Sequence, residues 1–214
     1  WKMSIFYHLW WDPSYIGQIF KFHAVDIYDT DMKKEFLRYY PDAIGLFQPQ
    51  VEFDISPFNL NSGEMASHLA AWHREMWLKE VVFKQKSMFY SIAKAIEAVP
   101  DTYDFVTLTR TDVLPQKILI HPQFYYHHPE GIVFDTYDNK SHLADWFIVG
   151  SLEKIRRYGK LFFHMDEICQ NEILTTTTLI KRYCKQIDLP IYEHDFNCPI
   201  FREYKSPKAM NDYH

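Results

Sequence analysis

Cysteine is scarce in this chain. Cys169, Cys184 and Cys198 are the whole complement of 214 residues, and no two of them form a CxxC pair. An odd, dispersed set argues against a disulfide framework and a zinc knuckle, and free thiols in a reducing compartment are the simplest reading. Long apolar runs are missing too, with nothing near the ~20 residues of a membrane span. The apolar start from Ile5 to Trp11 is short and meets Asp12-Pro13, so it does not read as a secretory signal. No P-loop, GxGxxG or GxSxG pattern occurs, which removes the common NTPase, dehydrogenase and hydrolase signatures. Positive charge is outweighed, 23 Lys and Arg against 28 Asp and Glu, and no basic stripe interrupts that balance. Nucleic acid is therefore not an expected partner. Repeats, low-complexity stretches and linkers are likewise missing. The expectation is one domain over residues 1–214, complete or trimmed from a longer parent, in the cytoplasm of its cell or of the host if viral.

What is present is ordinary globular material, 47% hydrophobic and 24% charged, on a chain long enough to bury a core. Aromatic residues are abundant at 18%, with 17 Phe, 15 Tyr and 6 Trp. Such rings fill cores, and they also stack on sugars and bases. Eleven His make the net charge of −5 soft near neutral pH.

Strand-like and helix-like stretches alternate. Ser4 to Trp10 reads as a buried first strand, Ser14 to Val25 as a helix, and Asp31 to Tyr40 as a short helix stopped by Pro41. Ala43 to Phe53 is strand-like with a bend or edge at Pro49, and Asp54 to Gly63 is a loop. Glu64 to Val99 has a helical pattern without Pro or Gly. Its length, about 36 residues, predicts a break near Lys79 to Phe83. Tyr103 to Thr109 reads as a central strand, and Gly131 to Asp135 and Trp146 to Val149 as short buried ones. Gly150-Ser151 would cap a helix from Leu152 to Phe163. A helix over Glu167 to Gln186, a last strand over Leu189 to Glu193 and a loose tail from Lys205 complete the pass. The alternation predicts an α/β fold with a mixed, mainly parallel sheet and helices on both faces.

The sharpest constellation follows the strand ending at Thr109. Arg110-Thr111-Asp112 places an Arg and an Asp two apart, facing the same way if the segment is extended. Ligands of open α/β sheets bind beyond the carboxyl ends of the strands. A carboxylate there can hold Mg²⁺ or Mn²⁺ against a diphosphate, and an Arg can pair with phosphate oxygens. Around it stand Gln85 to Ile92, Asp145 to Ser151 (DWFIVGS) and Asn171 to Leu174 (NEIL), with YHLW near the N-terminus.

This order of blocks resembles a group of small GT-A-type glycosyltransferases, among them the capsid-glycosylating domains of large algal viruses and related bacterial polysaccharide enzymes. The family's patterns read roughly "Q-x-x-S-x-x-x-A", "Y-D-x-V-[IL]-R-x-R-x-D", "D-x-[FW]-x-[IV]-G-S" and "x-x-E-x-[LI]-L". Gln85 to Ile92, Tyr103 to Asp112, Asp145 to Ser151 and Asn171 to Leu174 stand in that order, the third fitting its pattern throughout and the others in part, and the resemblance covers about residues 4 to 203. The resemblance implies a GT-A, Rossmann-like fold and a nucleotide-diphosphate donor, UDP-linked above others, with Mn²⁺ or Mg²⁺. It makes Asp112 the metal ligand, at the last position of D-x-D, and Arg110 a neighbour of the diphosphate. The first Asp of D-x-D is replaced by Arg110, so one carboxylate stands where two are usual. Tyr7, His8 and Trp10 would lie where this fold holds the nucleotide base, and Lys84 and Ser87 would line the same cleft.

Transfer to a glycan hydroxyl with inversion needs a general base. Asp145, before a buried strand, and Glu172, at a helix start, are the candidates, with capping or ion pairing as the alternative for each. Asp135 to Asn139 is a second acidic cluster and a rival metal site, though turn composition explains it as well, and Tyr192 to Asp195 could supply a late metal ligand. Thr175 to Thr178 inside a helical pattern has no functional account. Two other functions stay open: a non-catalytic glycan-binding module, and a nucleotidyltransferase or nucleotide-sugar hydrolase.

Overall fold

A computed structural model of the protein describes residues 4–15, 31–59, 62–63, 74–109, 128, 130–137, 142–169 and 172–196. It divides into two compact units, residues 1–51 with 201–214, and residues 52–200.

In the first unit, β1 (Phe6–Trp10) and β2 (Ile44–Gln48) pair in parallel, from Phe6 opposite Ile44 to Trp10 opposite Gln48. Between them runs α1 (Met32–Tyr39). Asp31 starts that helix by accepting from the N–H groups of Lys33 and Lys34, as an N-cap should. Phe36 of α1 meets Tyr7 and Phe47, with ring centroids 4.8 and 5.8 Å away. Side chains alternate across a strand, so Tyr7 and Phe47 belong to the α1 side and His8 and Trp10 to the other. Gly45 lies directly on the Tyr7 carbonyl, where a Cβ has no room. Beyond a short 3₁₀ turn at Pro13–Tyr15, the helix expected over Ser14 to Val25 falls outside the described residues.

The second unit carries α2 (Arg74–Glu97), β3 (Phe105–Thr109), β4 (Ile132–Tyr137), β5 (His142–Ser151), α3 (Leu152–Gly159), α4 (Leu161–Cys169), α5 (Thr176–Gln186) and β6 (Ile191–His194). Its four-stranded sheet has the order β3-β5-β4-β6. Strands β3, β4 and β6 run one way and β5 runs against them, so the sheet is mixed, as expected of an α/β fold. Among the described residues β3 is an edge strand rather than the central one its composition predicts. Val, Leu and Phe suit either place, and strand order is not a local property.

One hydrophobic core joins the sheet to the helices. Ile132, Phe134 and Ile148 meet Leu78, Val82, Phe89, Ile155, Tyr158, Leu179 and Ile180 there. Val133, Phe147 and Val149 are buried but stand outside that cluster, on the opposite face. The second helical layer is therefore not seen among the described residues. No helix among them is long and apolar enough to cross a membrane.

Helix boundaries correct the sequence reading in three places. First, α2 runs without a break through Lys79 to Phe83, because Leu78, Val82, Phe89, Ala93 and Ile96 continue one buried stripe and nothing interrupts the backbone ladder. Second, the helix after Ser151 ends at Gly159 and a separate α4 begins at Leu161. Third, the stretch from Glu167 to Gln186 is two helices. Thr175 caps the second, its hydroxyl accepting from the Thr178 N–H at 3.2 Å, which accounts for a threonine run at a helix start.

Between α4 and α5, Gly63 (φ +97°) lies against the Ile173 backbone, a conformation and a closeness that only glycine tolerates. Lys86, buried on α2, donates to the Asp54 carbonyl and pairs with Asp166 at 2.8 Å, fastening residues 52–59 to the helices.

Candidate functional site

The carboxyl edge of the four-stranded sheet gathers the end of β3 at Thr109, the end of β4 from Asp135, the end of β6 at His194 and the start of β5. Asp145 sits there. Phe134 pairs with Ile148, yet the next residue, Asp135, pairs with Ala144, so Asp145, Trp146 and Phe147 bulge between two ladder positions. Thr109 pairs with Phe147 on the other side of β5, which puts Asp145 just past the end of β3. A bulge re-aims side chains at a sheet edge and is common beside functional sites.

Asp145 is half-buried. Its charge reaches Tyr158 on α3, whose phenol has its pKa raised well above the ordinary value by complete burial, then by Asp145, then by Cys184. The Tyr158 hydroxyl has no hydrogen-bond partner, so nothing relieves that burial. A half-exposed carboxylate over a dry core can accept a proton or hold a cation; a buried phenol of this kind stays neutral.

Asp135 is only 2% exposed, and its Oδ1 accepts from the Thr136 N–H at 3.0 Å and from the Phe196 N–H at 2.8 Å. It therefore ties the chain after β6 to the sheet. Phe196 in turn packs on Phe147 and His194, with centroids 5.0 and 4.7 Å apart. Asp135 belongs to the acidic cluster that the sequence offers as a rival metal site; its latch onto a residue 61 positions away carries no local signal.

The remaining candidates scatter. Glu172 lies in the turn before α5 rather than at a helix start, and it forms an ion pair with Arg182. Lys84 is on the exposed side of α2, paired with Glu80 one turn earlier, while its neighbour Lys86 is the buried one. Ser87 is half-buried on the same helix. In the first unit, Tyr7 packs with Phe36 and Phe47, whereas His8 and Trp10 share the opposite face with ring centroids 4.7 Å apart. Arg110, Asp112, Asp138 and Asn139 lie outside the described residues.

Cys169 and Cys184 are buried, and burial pushes each thiol up to about 12, so neither is a nucleophile near neutral pH. Among the described residues no group of three or more His, Cys, Asp or Glu converges to hold a metal. No protein-family profile, curated protein or solved structure matches this chain.

Proposed function

We propose that the chain is a metal-assisted glycosyltransferase of the GT-A kind, moving a sugar from a nucleotide diphosphate, UDP above others, to a hydroxyl of a glycan. The observation that carries the reading is the bulge that brings Asp145 just past Thr109, beside the strand end from which Arg110-Thr111-Asp112 continues in sequence. The mixed α/β sheet and its polar carboxyl edge agree with it.

Asp112 is the residue to hold Mn²⁺ or Mg²⁺. These hard ions accept an oxygen donor set completed by phosphate and water, which suits a chain with one carboxylate where D-x-D has two. When bound, the ion neutralises charge on the departing diphosphate. Arg110 adds a fixed cation to the same oxygens. Asp145 takes the proton of the acceptor hydroxyl; Glu172, held by Arg182, is the weaker candidate for that task. His8, which is buried, and Trp10, on the face of β1 away from α1, are the rings that would meet the base, while Tyr7 belongs to the packing beneath α1.

Calorimetric titration of UDP and GDP, with Mn²⁺ and with EDTA, tests the reading on wild type, Asp112→Ala and Asp145→Asn. Metal-dependent binding of one nucleotide is expected, lost in Asp112→Ala and kept in Asp145→Asn. With an acceptor, Asp145→Asn should lower turnover by about 10²–10⁴-fold. Failure of folded wild type to bind either nucleotide would reject the donor site and leave the glycan-binding module as the better account.

A further inference from the structure

Among the described residues the outer edge of β2 is unpaired, and its chemistry matches itself. In the parallel ladder with β1, the Ile44 N–H donates to the Ile5 carbonyl at 2.9 Å and the Gln48 carbonyl accepts from the Trp11 N–H at 2.8 Å. A parallel strand turns both backbone groups of alternate residues to one neighbour. Ile44, Leu46 and Gln48 thus face β1, and Gly45 and Phe47 present their N–H and C=O groups outward. Among the described residues no strand takes up those groups.

The side chains beside this edge are equally uncovered. Ile44 is 56% and Leu46 46% exposed. The five strand residues, IGLFQ, include no charge and no proline, the devices that usually keep an edge strand from pairing with another chain.

We propose that this edge is a homodimer interface, in which β2 of one copy pairs antiparallel with β2 of a second copy around a two-fold axis. The free groups select the register. Centring the axis between two Gly45 residues would call on the Ala43 N–H, which already donates to the Tyr40 carbonyl at 3.2 Å. Centring it on Phe47 would call on Pro49, which has no N–H. Centring it on Leu46 sets Gly45 opposite Phe47 of the second copy and Phe47 opposite its Gly45, so that every outward donor meets an outward acceptor. Leu46 then meets Leu46 of the second copy as a close, non-hydrogen-bonded pair, and Ile44 meets Gln48. An isologous contact needs this kind of self-complementarity. One strand a side is small for an interface, so the dimer is concentration-dependent.

Sedimentation velocity over a concentration series is the first test, with a monomer–dimer equilibrium expected in wild type. Leu46→Lys should abolish the dimer by placing two like charges on the axis, with an unchanged circular dichroism spectrum because the site is half-exposed. Leu46→Cys should form, under mild oxidation, an intermolecular disulfide joining the two introduced thiols, identified by peptide mass mapping. The Gly45 and Phe47 amides should gain protection from hydrogen exchange as concentration rises. A monomer at every concentration overturns the proposal. So does protection of those amides that is independent of concentration, because a segment of the same chain then covers the edge. A dimer that survives Leu46→Lys overturns it too.

Discussion

The two sheets of this chain are covered in different ways. Over β1 and β2 lies a helix of eight residues, and the contact is a cluster of rings, Tyr7, Phe36 and Phe47, that stay half-buried. Ile44 and Leu46 are left about half exposed. Over β3 to β6 lie four helices, and Ile132, Phe134 and Ile148 are fully buried beneath them. Burial of apolar area is the main stabilising term, so among the described residues the second unit carries the larger share of it. The described part of the first carries an unpaired strand edge and the exposed rings of Tyr39 and Tyr40. Surfaces of that kind are available for binding, and core residues are not.

Truncating one ring in each unit sharpens the contrast most. Phe134→Ala removes a fully buried ring packed on Tyr158 at 5.7 Å, and should cost about 3–5 kcal/mol in denaturant titration. Phe36→Ala removes a half-buried ring and should cost about 1–2 kcal/mol, read as faster amide exchange confined to β1 and β2. Equal losses would mean that the small sheet is as well covered as the large one.

Alkaline pH should act on the second unit above all. Burial raises the pKa of Tyr158, and it raises those of Tyr183, Cys169 and Cys184 to about 12. In the unfolded chain these acids ionise near ~10 for Tyr and ~8.5 for Cys. As the pH rises the unfolded state loses protons first. Stability present below about pH 8.5 is therefore lost progressively toward about pH 12. Each such group should contribute about 1.4 kcal/mol per pH unit inside its window. In the first unit Tyr7 is the described acid shifted the same way. Melting scans from pH 8 to 11 check this, and Tyr158→Phe should flatten the upper part of the profile. A melting temperature that ignores pH over that range would contradict a dry core around these groups.

The smallest effects are expected at helix caps. Thr175→Ala in the second unit and Asp31→Ala in the first each remove an acceptor from N–H groups at a helix start, worth about 0.5–2 kcal/mol. Melting should report Thr175→Ala, whereas exchange at α1 should report Asp31→Ala. A global loss from Asp31→Ala would show that the two units unfold together.

The candidate site was legible in part. Asp145 stands out in sequence as a carboxylate ahead of an apolar strand, but the bulge that aims it depends on Phe134 and Asp135 of the neighbouring strand. Glu172 is the second candidate from its own block; its ion pair with Arg182 sets it apart from Asp145, and that pair forms only when the turn folds back on α5. Lys84 and Lys86 are near-identical in sequence context, yet the packing of residues 52–59 buries the second and leaves the first exposed. Tyr158 had no signal, since one Tyr in an amphipathic helix is unremarkable until a core closes around its hydroxyl.

The amino-acid sequence by itself determined the element types and several of their ends: Ser151 as a cap, the β-branched and aromatic strands, and the mixed α/β class. Those features depend on neighbours a few residues apart, whose propensities and capping bonds act locally. Among the described residues, the tertiary structure alone decided the strand order that puts β3 at an edge, the bulge at Asp145, the burial of Asp135 beneath Phe196 and the unpaired side of β2. Each of these is a contact between segments far apart in the chain, and only the joint burial of a core selects among the pairings that local propensity permits.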